Sequence, residues 1–542
     1  MNKKSENKNL GFDHHTSDSI VRFCGMAIFL ISAFIFSYLA YQSARISMYS
    51  SNKYTGYNWP VEISDSVFKN IIFCLFALCV LIGLYLFENK YPHISEIICR
   101  ITLITVLTLY MILGIRYVLT SPYYPSGDQL SATAGAAYAL EGNFLMFQKL
   151  GYIGIWPHLK GLLLFYEIIF KLFGSFNYTA SGIINLILNA LTILTGYFLI
   201  KDFNCSALPR FLWLMLSAFM FPYFIMIPYA YGDLPSIFGI MVFVFFFKKY
   251  ISSKKIHSLF LAALGSAFAI ESRGSAWIAV IALFIASVLI SIQKKKIYPL
   301  IGILAISIFC YSCNMLIGIG FEKASGYDRH TGSPVYGHIA MGMQETDGSP
   351  GVFNRYNQTV YEGNDGDRAA AAAEAKEYIS ERLAEFRCDK ELAKDFYKKK
   401  ILLQWIEPMF ESNTHMASFK NDISLQDLSP FYMRAYVGDI HIFLFKFMNK
   451  YQSLCYLLCL IYCVLTLALL IQNKKEPDIY MWFFFIFFIG GFIFSIIWEA
   501  KARYQLPYFI FMLPTCSLLI TDAAAFLKFG NILKVKGHQQ SL

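Results

Sequence analysis

One acidic residue, Asp128, stands where a helix should begin, in the polar stretch 121–160 (SPYYPSGDQLSATAGAAYALEGNFLMFQKLGYIGIWPHLK) between two apolar runs. Ser126 and Gln129 have the spacing of a capping box, with Ser126 as N-cap, which puts Asp128 in the first turn. A carboxylate presented there can take a proton from a hydroxyl, the work of a general base. The same placement also suits an acid that is merely favoured by the positive end of a helix. Basic residues recur at the borders of other apolar runs: Arg273, Lys501 and Arg503, with His158, Lys160, Arg329, His330 and His338 behind them. Cations bordering membrane spans are costly and tend to mark function, here the binding of an anion such as phosphate. Each has a plainer reading. Arg273 at a helix break can cap carbonyls, Lys501 and Arg503 can pair with Glu499, and His158 can bond backbone.

The elements that must position these residues are hydrophobic. The chain has 542 residues, 56% hydrophobic and 17% aromatic, with only 15% charged and a mean hydropathy of +0.48. That composition excludes a soluble globular protein. The net charge of +10 does not mark a nucleic-acid binder, because the basic residues sit in short loops beside apolar runs. Lys248, Lys249, Lys254 and Lys255, then 294–296, 474–475 and 528–536, follow positive-inside patterning. Nearly all of the 12 cysteines lie in apolar segments, which argues against a disulfide framework. Cys455, Cys459 and Cys463 recur every four residues, one helix face of small packing groups. The first apolar run, 21–41, lacks a small-residue cleavage site and reads as a retained anchor.

Apolar runs long enough to span fall near 21–41, 67–87, 97–119, 159–173, 181–200, 211–227 and 234–247. Others lie near 259–270, 276–292, 300–320, 454–471, 479–498 and 506–521. The expectation is an all-α polytopic membrane protein of about 12–14 transmembrane helices, with an early extracellular loop and a larger extracellular helical and irregular block. Four regions follow: spans in 1–119, a membrane module in 120–320 with its loop at 120–158, the outer block at 321–450, and closing spans and a cytoplasmic tail in 451–542. Loop charge puts both termini in the cytoplasm, and the two polar intervals at 121–160 and 321–450 outside. The candidates between those intervals are odd in number where an even number is required. One must therefore be re-entrant or one span is missed, and 159–173 and 259–270 are the shortest.

The outer block opens with irregular Gly- and Tyr-rich sequence and continues with helices expected over 368–387 and 390–405. The first of these carries Ile379, Leu383 and Phe386 on one side. The block reads as a lid over the membrane part. Its Asn-Asp-Gly-Asp at 364–367 resembles a fragment of a calcium loop but lacks the spaced ligands and the terminal Glu, so no cofactor is expected, a divalent metal staying open as an alternative that the sequence does not indicate.

Several stretches resemble the GT-C superfamily of polytopic glycosyltransferases, in particular protein O-mannosyltransferases, aminoarabinose transferases and their Gram-positive bacterial branch. They are Asp128 in an early outer loop, Trp156-Pro157-His158-Leu159 about thirty residues on, and Tyr231-Gly232-Asp233 at the start of a later span. GSAFAIESRGSAW, ending its helix at Arg273, is a fourth. The last two are the segment from His338 to Met343 and the segment Trp498-Glu499-Ala500-Lys501-Ala502-Arg503-Tyr504. The likeness runs from about residue 100 onward. It departs from the family at Gln129, where Glu is frequent, and in the single proline before Leu159.

The resemblance implies transfer of a monosaccharide, with inversion, from a polyprenyl-phosphate carrier to a hydroxyl of a cell-wall polymer, lipid-linked glycan or protein, at the outer face of a bacterial plasma membrane. Asp128 would be the catalytic base. Arg273, Lys501, Arg503, His158 and Lys160 would meet the carrier phosphate. Asp233, Tyr231, Glu499, Tyr504 and His338 would meet the rest of the substrate. Because phosphate leaves as a stable anion, no general acid is needed. Membrane lipids are the other expected partners, and nucleic acid is not one. A flippase or other transporter, an oligosaccharide ligase and a glycerol-phosphate transferase remain as alternatives.

Overall fold

The protein was analysed as a computed structural model, which describes residues 14–50, 60–203, 206–420, 425–472, 478–520 and 523. The basic clusters at 474–475 and 528–536 fall outside them. The fold is an all-α polytopic membrane protein; strands are confined to two short antiparallel hairpins among the described residues. In one, Ile46–Tyr49 pairs with Val61–Ser64; in the other, Glu345–Thr346 pairs with Ser349–Pro350. Nine helices among the described residues are long and apolar enough to cross a membrane. The shorter apolar helices Ala207–Ala218 and Ile256–Ser272 complete the bundle.

Contacts sort the helix ends into two layers. At one end Arg22 donates to Ile471 O (2.7 Å), Arg210 pairs with Glu96 (2.6 Å), and Lys249 with Asp202 (2.6 Å). At the opposite end Met48 N–H donates to Ile406 O (3.0 Å), Tyr124 N–H to Ser418 O (2.8 Å), and Thr120 Oγ1 meets Tyr432 OH (2.7 Å). Among the described residues, the basic clusters at 248–255 and 294–296 therefore lie at the end away from Asp128.

The odd candidate is the run at 159–173. Leu145–Ile155 and Pro157–Phe173 form a pair bent by 100°. Phe165 packs on Phe268 (5.8 Å) and Phe170 on Tyr178 (6.3 Å), so this helix lies along the Asp128 end. Between the two polar intervals that leaves Tyr178–Lys201, the interrupted 207–227, Asp233–Ser253, Ile256–Ser272, Trp277–Lys294 and Tyr298–Ser325, an even number.

Two local features fix the Asp128 end. Helix 207–227 breaks at Phe219 and ends in an irregular stretch, whose carbonyls need donors inside an apolar bundle. Asn185 Nδ2 supplies them to Ile227 O and Tyr229 O (both 3.0 Å), and Asn189 Nδ2 to Tyr223 O (3.1 Å). Helices Asp233–Ser253 and Ile256–Ser272 touch backbone to backbone. A Cβ at Gly239 would lie 2.7 Å from both Ala269 N and Gly265 O, so only glycine allows the approach. This packing sets Asp233, at the start of one helix, against Arg273, at the end of the next.

The outer block is bolted to the membrane part. The buried Lys400 donates to Gly342 O and to Ile496 O (2.9 Å), and Trp405 Nε1 donates to Ser495 Oγ (2.9 Å). The two helices expected in the block run Arg368–Cys388 and Lys390–Trp405. Ile379 and Phe386 pack with Met343 and Phe396, whereas Leu383 is exposed. Both expected limits of the block, 321 and 450, fall within helices, Tyr298–Ser325 and Asp439–Ile471. Asp367 of the calcium-like fragment is a helix N-cap, its Oδ1 accepting from Ala369 N (2.8 Å) and Ala370 N (3.1 Å).

Candidate functional site

The capping box expected at Ser126 does not form. The helix begins at Asp128 behind Gly127, whose φ of +54° turns the chain too early for Ser126 to reach the first turn. Ser126 Oγ instead accepts from Ser418 Oγ (2.8 Å), and Gln129 Nε2 donates to Tyr229 OH (2.6 Å). Asp128 keeps its first-turn position. Its side chain is exposed, and Oδ1 accepts from Tyr152 OH (3.0 Å).

Facing it is a polar cluster built from three chain breaks. Tyr229–Asp233 supplies two tyrosines and a carboxylate, Arg273 closes helix Ile256–Ser272, and 498–505 follows helix Ile479–Ile497. Gly232 is required where it stands, because the Ser272 carbonyl occupies the space of its missing Cβ. Arg273 forms an ion pair with the fully buried Asp233, and Arg503 Nε lies 3.7 Å from the same carboxylate oxygen. Arg503 is 2% exposed; the rings of Tyr229, Tyr231 and Tyr504 lie 5.2, 5.4 and 5.7 Å from its guanidinium carbon. Its Nε and Nη1 are buried without a hydrogen-bond partner. Buried guanidinium donors without a partner are uncommon, and a planar fork of this kind suits carboxylate or phosphate geometry.

Lys501 lies 3.9 Å from Glu499, and Tyr504 OH donates to Glu499 Oε2 (2.9 Å). Burial works against the Lys501 ammonium, but Glu499, Glu411 and Asp128 hold it above its usual value. Burial pulls the Arg503 guanidinium down, against Tyr504 and Asp128. Burial likewise raises the Glu499 carboxyl, against the pull of Lys501 and the Tyr504 hydroxyl. The charge of Asp128 is felt at Tyr231, Glu499, Lys501 and Arg503, so these groups share one electrostatic site.

The remaining expected residues form a rim. His158 lies where both Asp128 and Arg273 act on it, edge-on to Trp156 (6.4 Å). His338 stacks on Trp498 (4.7 Å, 10°), and Asn357 Nδ2 lies 3.0 Å from its Nδ1; burial pushes its imidazole down to about 3, so it is neutral at pH 7. Lys160 stands apart, with Glu322, Asp328 and Arg329 as its electrostatic neighbours. Arg329 in turn faces Glu322 (3.7 Å) and His330 (3.2 Å).

Sequence reading did not find Tyr152, Tyr229, Glu407, Glu411 or His415. Glu411 Oε1 accepts from Ala502 N–H (3.0 Å), and its Oε2 lies 3.1 Å from His415 Nε2. The i, i+4 spacing of Glu407, Glu411 and His415 was the available signal. Among the described residues no group of three or more His, Cys, Asp or Glu is arranged to hold a metal.

No protein-family model and no curated protein matches the chain. Among solved structures, the archaeal oligosaccharyltransferase AglB from Archaeoglobus fulgidus, in complex with an inhibitory peptide and a dolichol-phosphate, is similar with a TM-score of 0.37 and 10% identity. The similarity covers 81% of this chain and 52% of that one, so the chain spans about half the length of AglB.

Proposed function

We propose that the protein is a membrane glycosyltransferase that moves a monosaccharide, with inversion, from a polyprenyl-phosphate carrier to a hydroxyl of an envelope polymer, glycan or protein. The observation that carries the reading is Arg503: a buried guanidinium with idle donors, ringed by tyrosines, in electrostatic contact with the exposed carboxylate of Asp128. Arg503, with Lys501 and Arg273 beside it, holds the carrier phosphate and stabilises the charge that grows there as the glycosidic C–O bond breaks. Asp128 takes the proton of the incoming hydroxyl as its oxygen bonds to the anomeric carbon. Asp233, Tyr231, Glu499 and Tyr504 position the donor, and His158 and His338 line its rim. Lys160, set among Glu322, Asp328 and Arg329, guards the approach. All these groups lie at one end of the bundle, which favours surface chemistry over a mid-membrane transport site. Gathering of the basic loops at the other end supports an outward-facing site in a bacterial plasma membrane.

The test is purified protein in liposomes with labelled polyprenyl-phosphate sugar and a crude acceptor fraction. Asp128→Asn should lower transfer by at least about 10²-fold while donor binding persists. Carrier translocation without transfer would sink the reading, and full turnover by Asp128→Asn would remove Asp128 from the mechanism.

A further inference from the structure

The segment from Glu407 to His415 has a geometry that is costly and aimed. Phe410 and Glu411 are consecutive non-glycine residues in the left-handed region, at φ +50° and +54°. Such conformations are sparsely populated and persist where the surroundings over-determine them. Here the Glu411 N–H donates to Glu407 Oε2 (2.8 Å), and Glu407 is itself 1% exposed. The strained turn delivers one carboxylate to one backbone group. Glu411 Oε1 accepts from the N–H of Ala502, the residue between Lys501 and Arg503. Its other oxygen holds His415 Nε2, and the His415 ring lies 5.2 Å from that of Tyr229, a wall of the Arg503 cage.

One side chain thus fastens both the backbone that carries the two cations and, through His415, the aromatic ring beside them. Lys501 and Arg503 sit in an irregular stretch ending in the short turn Ala502–Gln505, where no extended helix fixes side-chain direction. A charge-assisted bond to the Ala502 N–H supplies that constraint. Near Glu411, the titratable groups are Glu407 on its own segment, His415 on the helix Ser412–Met416, and Glu499 and Lys501 on the facing loop.

We infer that Glu411 is a positioning residue: it pins the backbone at Ala502 so that Lys501 and Arg503 are pre-aimed at the anionic group of the ligand. The inference rests on the proposed carrier-phosphate site for what the cations meet, but the pinning itself does not.

The experiment compares wild type, Glu411→Gln and Glu411→Ala in detergent, with undecaprenyl phosphate as the probe. Hydrogen–deuterium exchange of peptides covering 498–505 reads the pin, and titration with the probe reads the aim. Glutamine still offers an oxygen to the Ala502 N–H, whereas alanine does not. Expected are faster exchange and at least tenfold weaker binding for Glu411→Ala, with both values within threefold of wild type for Glu411→Gln. Exchange of helix Lys390–Trp405, unchanged in both variants, separates loss of the pin from general unfolding. Unaltered exchange at 498–505 in Glu411→Ala would overturn the pinning. Faster exchange with unaltered binding would overturn the aim. A wild type that binds no undecaprenyl phosphate would overturn the aim together with the functional reading, while the exchange result would still decide the pinning.

Discussion

Arg503 and Asp233 meet across a gap: Nε of one lies 3.7 Å from Oδ1 of the other, the same oxygen that Arg273 already holds. The carboxylate is 0% exposed, and its second oxygen has no hydrogen-bond partner. One acid therefore compensates two buried guanidinium groups, and it does so unequally. Arg273 is paired by direct contact, whereas Arg503 Nε and Nη1 have no hydrogen-bond partner. Taking away Asp233 leaves the buried Arg273 without its ion-pair partner and removes the carboxylate nearest Arg503 Nε. Breaking a buried pair from one side costs about 3–5 kcal/mol. Asp233→Ala should accordingly lower the detergent-solubilised melting temperature well below that of wild type, with undecaprenyl phosphate recovering part of the loss. An unchanged melting temperature would show that Asp233 does not carry this balance.

Arg503→Lys keeps the charge and loses the planar fork, whereas Arg503→Ala loses both. A charge-assisted hydrogen bond contributes about 1.5–3 kcal/mol, roughly 10- to 150-fold in affinity. The apparent donor KM should rise within that range for Arg503→Ala, together with a fall in kcat, because the same contact serves the leaving phosphate. Arg503→Lys should lie between alanine and wild type. Donor titration of turnover in liposomes measures both constants, and a KM equal to that of wild type in Arg503→Ala would take the phosphate off Arg503.

The contrast between Arg503 and Glu411 marks how far the sequence could be read. Arg503 and Arg273 stand at the edges of apolar runs, where a charge is conspicuous against its surroundings, and hydropathy sufficed to flag them. The helices themselves were legible for the same reason, as were Arg368–Cys388 and Lys390–Trp405 in the outer block. Glu411 lies in a polar interval, where a carboxylate is ordinary. Its importance comes from a bond across 91 positions of chain, which no local pattern encodes. The Ser126 capping box failed for a different reason: the spacing was right, but the positive φ of Gly127 redirected the backbone. Run 159–173 was apolar enough to span, and only its packing on Phe268 and Tyr178 shows it lying along one end.

Glu407 gives the molecule a pH dependence whose sign is fixed. Burial pushes its carboxyl from the usual 4.5 up to about 8, against the backbone N–H groups that favour the anion. The folded protein therefore holds a proton that the unfolded chain releases near pH 4.5. The stabilisation is complete below that value and is lost as pH rises toward 8, at up to about 1.4 kcal/mol per pH unit from this one group. Glu407→Gln, which cannot ionise, should flatten the fall in melting temperature between pH 5 and 8. Parallel curves for variant and wild type would exclude Glu407 as its source.

The proposed outward direction of the site rests on the same charges that sort the helix ends. Lys249, Lys254, Lys255, Arg210 and Lys294–Lys296 lie at the end remote from Asp128, and short loops rich in lysine and arginine stay on the cytoplasmic side. Cys388 ends helix Arg368–Cys388 in the outer block and is exposed, whereas Lys254 lies in the tight turn between helices Asp233–Ser253 and Ile256–Ser272. In a background with the other cysteines replaced by serine, Cys388 alone should react with a membrane-impermeant maleimide in intact cells. With Cys388 also replaced, Lys254→Cys should react only after permeabilisation. Cys388→Ser should itself leave transfer unchanged, since the thiol lies in neither the Asp128 cluster nor its rim. Labelling in the reverse order would turn the whole site toward the cytoplasm, and a carrier-linked sugar would then have to be presented there.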